Sequence, residues 1–481
     1  MTDSLQPYPE YKDSGQTWLG QVPRHWPVLP NRAIFDEVKD RAHPDEEMLS
    51  VTITRGIVRQ KALLADSSKK DSSNLNKSAY KLVQPRDIAY NKMRAWQGAI
   101  AASDLRGIIS PAYVVMRLRE DANLPRYFHH LYRTPLFAKE AERWSYGITS
   151  DMWSLRPEHF KVIYTPLPPP SEQAAIVRFL DHAHGRIDRA IRAKRKIITL
   201  LNEQKQAIIH RAVTRGLDPS VPLKPSGIPW LGDIPQHWEV RRLRTLANRI
   251  EQGVSPLAVG FLAEGDSWGV LKSGCVNRGV FRETEHKQLA KAFQIDPSIV
   301  VKVGDVLISR ACGSPSLVGS VGKVESLKYR LILSDKTFRV VFCPLVDVDF
   351  MVYAMNSRYY RDQVEQAISG AEGMANNLPL SSLRDFVFAI PPRSEASAIA
   401  QHLCDTHRES TTAISNFERE ITLLREYRTR LTADVVTGKL DVRAAAASLP
   451  DPEPVEPIPS VSPDEPDAAD DPDLEPEEAE A

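Results

Sequence analysis

The sequence is poor in cysteine and has no long apolar run. Its four cysteines (Cys275, Cys312, Cys343 and Cys404) are far apart and form no CxxC pair, which argues against a zinc site or a disulfide framework and favours reduced, mostly buried thiols. No apolar stretch is long enough to cross a bilayer, and the first residues lack the basic start and apolar stretch of a signal peptide. We therefore expect a cytoplasmic protein with no membrane partner.

Motifs for catalysis are also lacking. The sequence has no GxxxxGK[ST] or GxGxxG phosphate loop, no HExxH, no GxSxG and no Asn-Pro-Pro-Tyr type motif of an adenine methyltransferase. Histidines such as His25, His129, His130 and His182 have no partner at ligand spacing, which favours a surface or packing role over metal binding. These absences predict a chain with no catalytic residue, metal or cofactor of its own.

A net charge of zero conceals an uneven distribution of charge. Thirteen of the 62 acidic residues lie in 450–481 with nine prolines and no Lys or Arg, so the rest of the chain holds 62 basic and 49 acidic side chains. We expect 450–481 to be a disordered acidic Pro-rich tail, because it cannot bury enough apolar surface to fold. A solubility tail is the favoured role, and a DNA-mimicking competitor for the mildly basic body is the alternative.

What the sequence does contain is one pattern written twice. Residues 12–26 read KDSGQTWLGQVPRHW, and 212 residues later 224–238 read KPSGIPWLGDIPQHW. A second pair runs from LPPPSE (167–172) to VTRGLD (213–218) and from IPPRSE (390–395) to VTGKLD (436–441), at a spacing of 223. The segments between these motifs have diverged much further, which predicts two related modules that read different things on a preserved scaffold.

Each module begins with mixed secondary structure and ends in a long helix. Residues 11–170 and 225–392 combine short β-like runs, turn signals and a helical stretch, which is typical of α+β domains. A proline-rich stop then precedes helical patterns over 171–215 and 394–440, with Ser171 and Ser394 as predicted N-caps.

The two long helical segments carry matching apolar stripes. Spacings of four and three residues, typical of a coiled-coil seam, relate Ile187, Ile191, Ile198, Leu201 and Ile208 in the first copy and Ile414, Phe417, Ile421, Leu424 and Leu431 in the second. Packing of each helix on its own domain is the alternative, but the stripes match position for position, so we expect the helices to pair. Two similar halves that pair through one surface are related by a two-fold axis, which predicts antiparallel helices with pseudo-two-fold symmetry.

Basic residues occupy matching predicted connections in the two domains. Thr54-Arg55-Gly56 corresponds to Asn277-Arg278-Gly279, and Lys92 and Arg310 follow corresponding strands. Loops that present Arg, Lys and Asn can enter the major groove of DNA, where Arg or Lys reads guanine and Asn reads adenine. The candidate DNA-binding residues are Arg55, Arg59, Lys92, Arg94, Lys272, Arg278, Arg282, Arg310 and Lys323. Any one of them is more often a solvated charge or a phosphate contact than a base reader.

Together, the repeated Trp-Leu-Gly-x-[Val/Ile]-Pro-x-His-Trp motif, the Pro-Pro-x-Ser-Glu start of each long helix and the two-fold plan resemble the specificity (S) subunit of type I restriction-modification systems. The resemblance covers roughly residues 11–442, nearly all of the chain apart from its tail. It implies two target-recognition domains, 11–170 and 225–392, each of which reads one half of a bipartite asymmetric site in double-stranded DNA. The helices 171–215 and 394–440 are then spacers that dock two methyltransferase (modification) subunits.

The resemblance also implies where the chemistry of such a complex lies. The methyltransferase subunits bind S-adenosylmethionine and methylate adenine, and a restriction subunit, where one exists, adds ATP- and Mg-dependent translocation and cleavage. This chain is then a non-catalytic DNA-recognition subunit. Two rival functions remain open on the residues alone: a non-catalytic coiled-coil adaptor that binds protein partners at both ends, and a stand-alone nuclease or methyltransferase, which needs a metal or cofactor motif that we do not find.

Overall fold

The computed structural model describes residues 5–65, 77–147, 153–290, 293–368 and 376–450. They form two compact units. Unit 1 comprises the described residues up to Lys194 together with those from Arg419 onwards, and unit 2 comprises those from Arg195 to Glu418. The predicted tail lies outside the described residues, except for its first residue, Pro450.

Unit 1 contains the first mixed segment. Its strands are β1 (Tyr11–Asp13), β2 (Gln21–Pro23), β3 (Val28–Pro30), β4 (Phe35–Val38), β5 (Leu49–Thr52), β6 (Gly56–Arg59), β7 (Lys81–Val83), β8 (Ile88–Asn91), β9 (Ile100–Ala102), β10 (Gly107–Ile109), β11 (Tyr113–Leu118) and β12 (Tyr164–Pro166). Its helices are α1 (Asn31–Ile34), α2 (Gln60–Ala65), α3 (Pro125–Tyr132), α4 (Pro135–Arg143), α5 (Pro157–Val162) and the part of α6 (Pro170–Arg215) up to residue 194.

A four-stranded antiparallel sheet of order β4-β11-β8-β9 forms the centre of unit 1. Its inner strands β8 and β11 are almost wholly buried and rich in branched and aromatic residues, which suits strands in a sheet centre. Helices α3 and α4 each begin with a proline, which is pre-set for the first helical position. The aromatic side chains of α3 and α5 fill the core beside the sheet.

Unit 2 contains the second mixed segment. Its strands are β13 (Leu223–Pro225), β14 (Asp233–Pro235), β15 (Glu239–Arg242), β16 (Ala247–Gln252), β17 (Ala258–Val259), β18 (Trp268–Leu271), β19 (His286–Leu289), β20 (Val306–Ser309), β21 (Ala311–Cys312), β22 (Val321–Lys323), β23 (Arg330–Ile332), β24 (Thr337–Phe342), β25 (Asn376–Asn377) and β26 (Val387–Ile390). Its helices are α7 (Leu243–Leu246), α8 (Val348–Ala354), α9 (Arg358–Ala367), α10 (Leu380–Asp385), the part of α6 from residue 195 and the part of α11 (Arg393–Val436) up to 418. The last described helix, α12 (Arg443–Ala447), belongs to unit 1.

Unit 2 contains two four-stranded sheets. The first, of order β16-β24-β20-β22, repeats the antiparallel arrangement of the central sheet of unit 1. The second, of order β17-β19-β18-β23, contains the parallel pair β18 and β23 and has its own apolar core. The divergent segment of unit 2 therefore contains the sheet that both units share and one further sheet.

The long helices differ from the prediction at their ends. They begin at Pro170 and Arg393, so Ser171 and Ser394 lie in the first turn and are not N-caps. Helix α11 ends at Val436 and not at 440, because Gly438 adopts a φ of 77°, which is typical of the residue that terminates a helix. No helix of the described residues is long and apolar enough to span a membrane.

The seam residues are shielded from solvent. Ile187, Ile191, Ile421 and Leu431 are buried, and Ile198, Leu201, Ile208, Ile414, Phe417 and Leu424 are half-buried. Polar contacts join α6 and α11 in antiparallel register within unit 1: His184 Nε2 lies 2.8 Å from Thr432 Oγ1, and Arg428 Nη1 lies 3.0 Å from Asp188 Oδ1. Lys194 and Arg428 are basic residues at seam positions. Each pairs with a carboxylate on the opposite helix, Lys194 with Glu420 and Arg428 with Asp188.

Candidate nucleic-acid interface

The two repeated motifs of the sequence contact each other in unit 1. Glu172, in the first turn of α6, accepts a hydrogen bond from Trp26 Nε1 (2.9 Å), and its other oxygen lies 2.7 Å from His25 Nε2. The indole of Trp26 is fully buried, and a carboxylate in the first turn also benefits from the positive end of the helix dipole. His25, Trp26 and Glu172 form what we term joint 1, which fastens the mixed domain to its long helix.

Unit 2 repeats this arrangement as joint 2. Glu395, in the first turn of α11, accepts a hydrogen bond from Trp238 Nε1 (3.1 Å) and lies 2.7 Å from His237 Nε2. The most recognisable residues of the repeat therefore hold the scaffold together.

The end of the other long helix closes each joint. After α11, Gly438 packs so closely that an added Cβ would lie 2.9 Å from Trp26 Cζ3 and 2.3 Å from Pro23 Cδ. After α6, an added Cβ on Gly216 would lie 3.5 Å from Trp238 Cζ2 and 3.1 Å from Glu395 Oε1. Each joint therefore combines a Trp, the start of one long helix and the end of the other.

In unit 1 three of the four candidate DNA-binding residues lie on two neighbouring connections. Turn A (53–55) joins β5 and β6 and carries Arg55, which is half-buried and whose N–H donates to Thr52 Oγ1 (2.9 Å). Loop B (92–99) joins β8 and β9 and carries Lys92 and Arg94, both half-buried, with Arg94 Nη1 3.3 Å from Gln97 Oε1. Arg59 is exposed at the end of β6 and pairs with Glu47 (2.8 Å).

One half-buried guanidinium binds both connections. Arg133, directly after α3, donates to five main-chain carbonyl oxygens, those of Thr52 (3.3 Å), Ile53 (2.6 Å), Thr54 (2.7 Å), Gly98 (3.3 Å) and Ile100 (3.3 Å). Burial, and then the nearby Arg428 and Arg126, lower the pKa of Arg133 to about 10, so it stays charged at neutral pH. Sequence reasoning missed Arg133 because its acceptors are 33 to 81 residues away.

In unit 2 the candidates surround a short 3-10 helix, Ser273–Gly279. Lys272 precedes this helix and lies 3.8 Å from Glu285. Arg282 follows it, is exposed, and donates from Nη1 to the carbonyl oxygen of Asn277 (3.1 Å). The side chain of Arg278 lies outside the described part of the structure.

The other two candidates of unit 2 make contacts within its fold. Arg310 donates from Nη1 to the carbonyl oxygen of Asp335 (3.0 Å), and its guanidinium lies 5.8 Å from the ring centre of Phe338. Lys323 pairs with Asp349. Both side chains are half-buried, so Arg282 is the most exposed candidate of unit 2 with a described side chain.

The thiols and histidines offer no second kind of site. Among the described residues, no three His, Cys, Asp or Glu side chains gather as they would around a metal ion. The expectation of mostly buried thiols is wrong for three of the four: Cys275 is buried, Cys312 and Cys343 are half-buried and Cys404 is exposed, because α11 turns that last position outwards.

No family model matches the chain. The chain is 26% identical over 199 residues to the specificity subunit of the type I restriction enzyme EcoEI from Escherichia coli. This match spans 41% of this chain and 33% of that relative's length. It is 23% identical over 415 residues to the putative type I restriction enzyme MjaX specificity subunit of Methanocaldococcus jannaschii, which covers 82% of this chain and 90% of that one.

A solved structure shares the fold. A chain from a study of complex assembly and conformational transition of a type I R-M system aligns over 87% of this chain and 99% of its own length, with a TM-score of 0.62. Its sequence identity to this chain is 16%. The likeness is therefore one of fold, at low sequence identity.

Proposed function

We propose that this chain, a relative of type I restriction enzyme specificity subunits in sequence and fold, is the sequence-specific DNA-binding subunit of a type I restriction-modification complex. The observation that carries the proposal is the contrast within the repeat. Joints 1 and 2 use the same residue types with nearly the same distances. The connections with the candidate DNA contacts differ between the units, as two readers of different half-sites require.

Each unit then reads one half of a bipartite, asymmetric site in double-stranded DNA. Turn A and loop B supply the candidate contacts of unit 1. The 3-10 helix Ser273–Gly279 and the exposed Arg282 supply those of unit 2. Because Arg and Lys on loops bind both phosphates and base edges, these positions suit a reader. The individual contacts stay a prediction.

The long helices dock the partner subunits in this proposal. Large apolar side chains remain exposed on them beside the shielded seam, namely Ile197 and Leu200 on α6 and Leu423 and Tyr427 on α11. Exposed apolar side chains on a helix are suited to burial against another protein. Two methyltransferase subunits, and a restriction subunit where one exists, are the proposed partners. S-adenosylmethionine, ATP and Mg belong to those partners, and this chain supplies recognition without catalysis.

The finer architecture predicted from the sequence belongs to the same proposal. In it, the two helices pair antiparallel along the whole seam and relate two target-recognition domains by pseudo-two-fold symmetry. Support comes from the matched seam positions and from the antiparallel contacts found within unit 1. Cysteine pairs introduced at opposed seam positions, such as Ile198 and Phe417, should cross-link within one chain if this pairing is right.

An exchange of segments tests the function. The chain is co-expressed with its methyltransferase partner, and the methylated adenines of the host genome are mapped. Replacing residues 27–165 by the equivalent segment of a relative should change one half of the methylated site, and replacing 240–388 should change the other half. Changes in both halves, or in neither, contradict modular reading.

A salt titration separates this function from that of a protein-binding adaptor. A DNA reader that contacts phosphates loses affinity steeply as salt rises, because bound counterions are released on binding. We expect a steep slope for the assembled complex on random-sequence duplex DNA. Partner binding without measurable DNA affinity would favour the coiled-coil adaptor.

A further inference from the structure

We propose that Arg133 is a specificity-determining positioning residue, which fixes turn A and loop B of unit 1 relative to each other and thereby sets discrimination at the half-site that unit 1 reads. This inference rests on the proposed function and extends it to a residue that need not touch DNA. It concerns one half-site only.

The first support is the number and placement of the acceptors. Of the five carbonyls that Arg133 binds, those of Ile53 and Thr54 lie on turn A and that of Gly98 lies on loop B. The other two belong to the strand residues next to these connections, Thr52 at the end of β5 and Ile100 at the start of β9. A guanidinium is a rigid planar fork, so binding acceptors from both connections fixes the distance and angle between them. The carbonyls of the buried residues Thr52, Gly98 and Ile100 would otherwise lack part of their hydrogen bonding.

The second support is the close packing under turn A. Gly56 follows the turn, and a Cβ built on it would lie 3.3 Å from both Ala101 Cβ and His129 Cε1, and 3.9 Å from Arg133 Nη1. His129 is half-buried, and desolvation and then Arg133 lower its pKa well below the usual value, so it is neutral at pH 7. Turn A is therefore closely packed against Ala101, His129 and Arg133, and we expect its position to change when these residues are replaced.

The third support is what the two connections carry. Arg55 lies on turn A, and Lys92 and Arg94 lie on loop B. A side chain that reads a base edge does so through hydrogen bonds of fixed length, so a recognition site has to be held to within about 0.5 Å. Loss of the common anchor would let the two connections move independently.

The fourth support is the corresponding position of unit 2. Asn356 lies 223 residues after Arg133, beside Gly279, as Arg133 lies beside Gly56. Its Nδ2 donates to the carbonyl oxygens of Val321 (3.0 Å) and of Val352 on the preceding helix α8 (2.8 Å). The position is thus used in both units, but only Arg133 spans two connections. The residue at this position differs between the two units, as the reading loops do, whereas the joints use the same residue types in both.

The experiment uses the full chain assembled with its methyltransferase partner. Methylation rates are measured on the cognate duplex and on duplexes with single-base changes in either half-site, for wild type, Arg133→Met and Arg133→Lys. Arg133→Met removes the hydrogen bonds to all five carbonyls. Arg133→Lys keeps the charge but offers three donors, which guards against a result caused only by misfolding. Arg178→Met is the matched control, because Arg178 also donates to main-chain carbonyls, those of Leu449 and Pro450, away from both connections.

We expect Arg133→Met to reduce discrimination at the half-site of unit 1 by about tenfold, the value of one base-reading contact. Arg133→Lys should reduce it less, and the half-site of unit 2 should be read as in wild type. Arg178→Met should leave both ratios unchanged. A variant that lowers the melting temperature but keeps both ratios, or that lowers both ratios equally, would show that Arg133 is merely structural.

The design separates this inference from the function on which it rests. If wild type shows no preference between cognate and altered duplexes, the proposed function fails, and the inference fails with it. If wild type discriminates in both halves and Arg133→Met discriminates equally well, only the inference fails.

Discussion

Joint 1 and joint 2 use equivalent residues, yet their carboxylates have different surroundings. Glu172 has four side-chain partners, since Tyr8 Oη donates to it (3.1 Å) and Arg443 Nη1 lies 3.5 Å away in addition to His25 and Trp26. Glu395 has its His and Trp partners, and its side chain is 30% exposed against 9% for Glu172. Joint 1 is therefore the more buried and the more connected of the two.

The difference follows from how the chain passes each joint. In unit 2, residues 216–222 run continuously from the end of α6 towards β13, and Asp218 holds this stretch through Ser220 N (2.8 Å) and Oγ (2.7 Å). In unit 1 the same place is filled by two separate segments, one with Tyr8 and one with Arg443. A covalent connection holds joint 2 together, whereas joint 1 depends on side chains, which makes joint 1 the more sensitive to substitution.

Removal of the carboxylate should give the largest difference in stability loss between the two joints. We expect Glu172→Ala to destabilise unit 1 by about 4 kcal/mol, because the buried donors of Tyr8 and Trp26 each lose their acceptor. Glu395→Ala should destabilise unit 2 by about 1–2 kcal/mol. Hydrogen exchange of peptides from each unit measures both losses. Equal losses in the two units would contradict the comparison.

The glycine that closes each joint should show the next largest contrast. Gly438→Ala places a Cβ against the rings of Pro23 and Trp26 at a positive φ, so we expect a loss of about 3 kcal/mol. Gly216→Ala has a positive φ as well, but its nearest atom is a flexible Glu oxygen, so we expect about 1 kcal/mol. Thermal unfolding of the two variants checks this order, and a larger loss for Gly216→Ala would overturn it.

Acidification should weaken unit 1 through a histidine cluster. Burial, and then His130 and Arg428, lower the pKa of His184 to about 3, while the pKa of His129 is also well below its usual value. An unfolded histidine titrates near pH 6.5, so between pH 6.5 and 3 the unfolded chain binds protons that the folded chain excludes. This contribution to stability is complete above pH 6.5 and falls with pH, by about 2 kcal/mol at pH 5 for His184.

The measurement is the melting temperature between pH 7 and pH 5 for wild type and His184→Asn. The variant should show a shallower decrease, because it lacks one of the protonation sites. In unit 2, burial and then Lys205 lower the pKa of His407 to about 4, so acid should destabilise that unit as well. The effect should be smaller than in unit 1, where His129, His130 and His184 lie together. A decrease of the same slope in wild type and variant would rule out this origin.

The smallest effect should come from the partners found in joint 1 alone. Tyr8→Phe removes one hydrogen bond to Glu172 and should cost about 1 kcal/mol. It makes joint 1 resemble joint 2, so a second substitution, Glu172→Ala, should then cost less than it does in wild type. Double-mutant-cycle analysis measures the coupling, and additive losses would show that Tyr8 does not support Glu172.

Local patterns in the sequence predicted the long helices, the mixed domains and the duplication. They did not predict that the two repeated motifs bind each other, because His25 and Glu172 are 147 residues apart and no local periodicity reports such a contact. The signal was present in the repeat, since His and Glu recur together as His237 and Glu395. The second sheet of unit 2 and the role of Arg133 depend on contacts between distant segments that have no counterpart among the described residues of the other copy, so the repeat gave no signal for them.

The ion pairs within the seam affect which helix can pair with α6 or α11 more than they affect stability. Lys194 with Glu420 and Arg428 with Asp188 are partly exposed and each contributes at most about 1 kcal/mol. A wholly apolar seam, however, would accept almost any helix of the same period, including one from another chain in the same cell. A foreign helix that placed Lys or Arg opposite these positions would meet like charge. The pairs thus give the helices a means of telling their own chain from others.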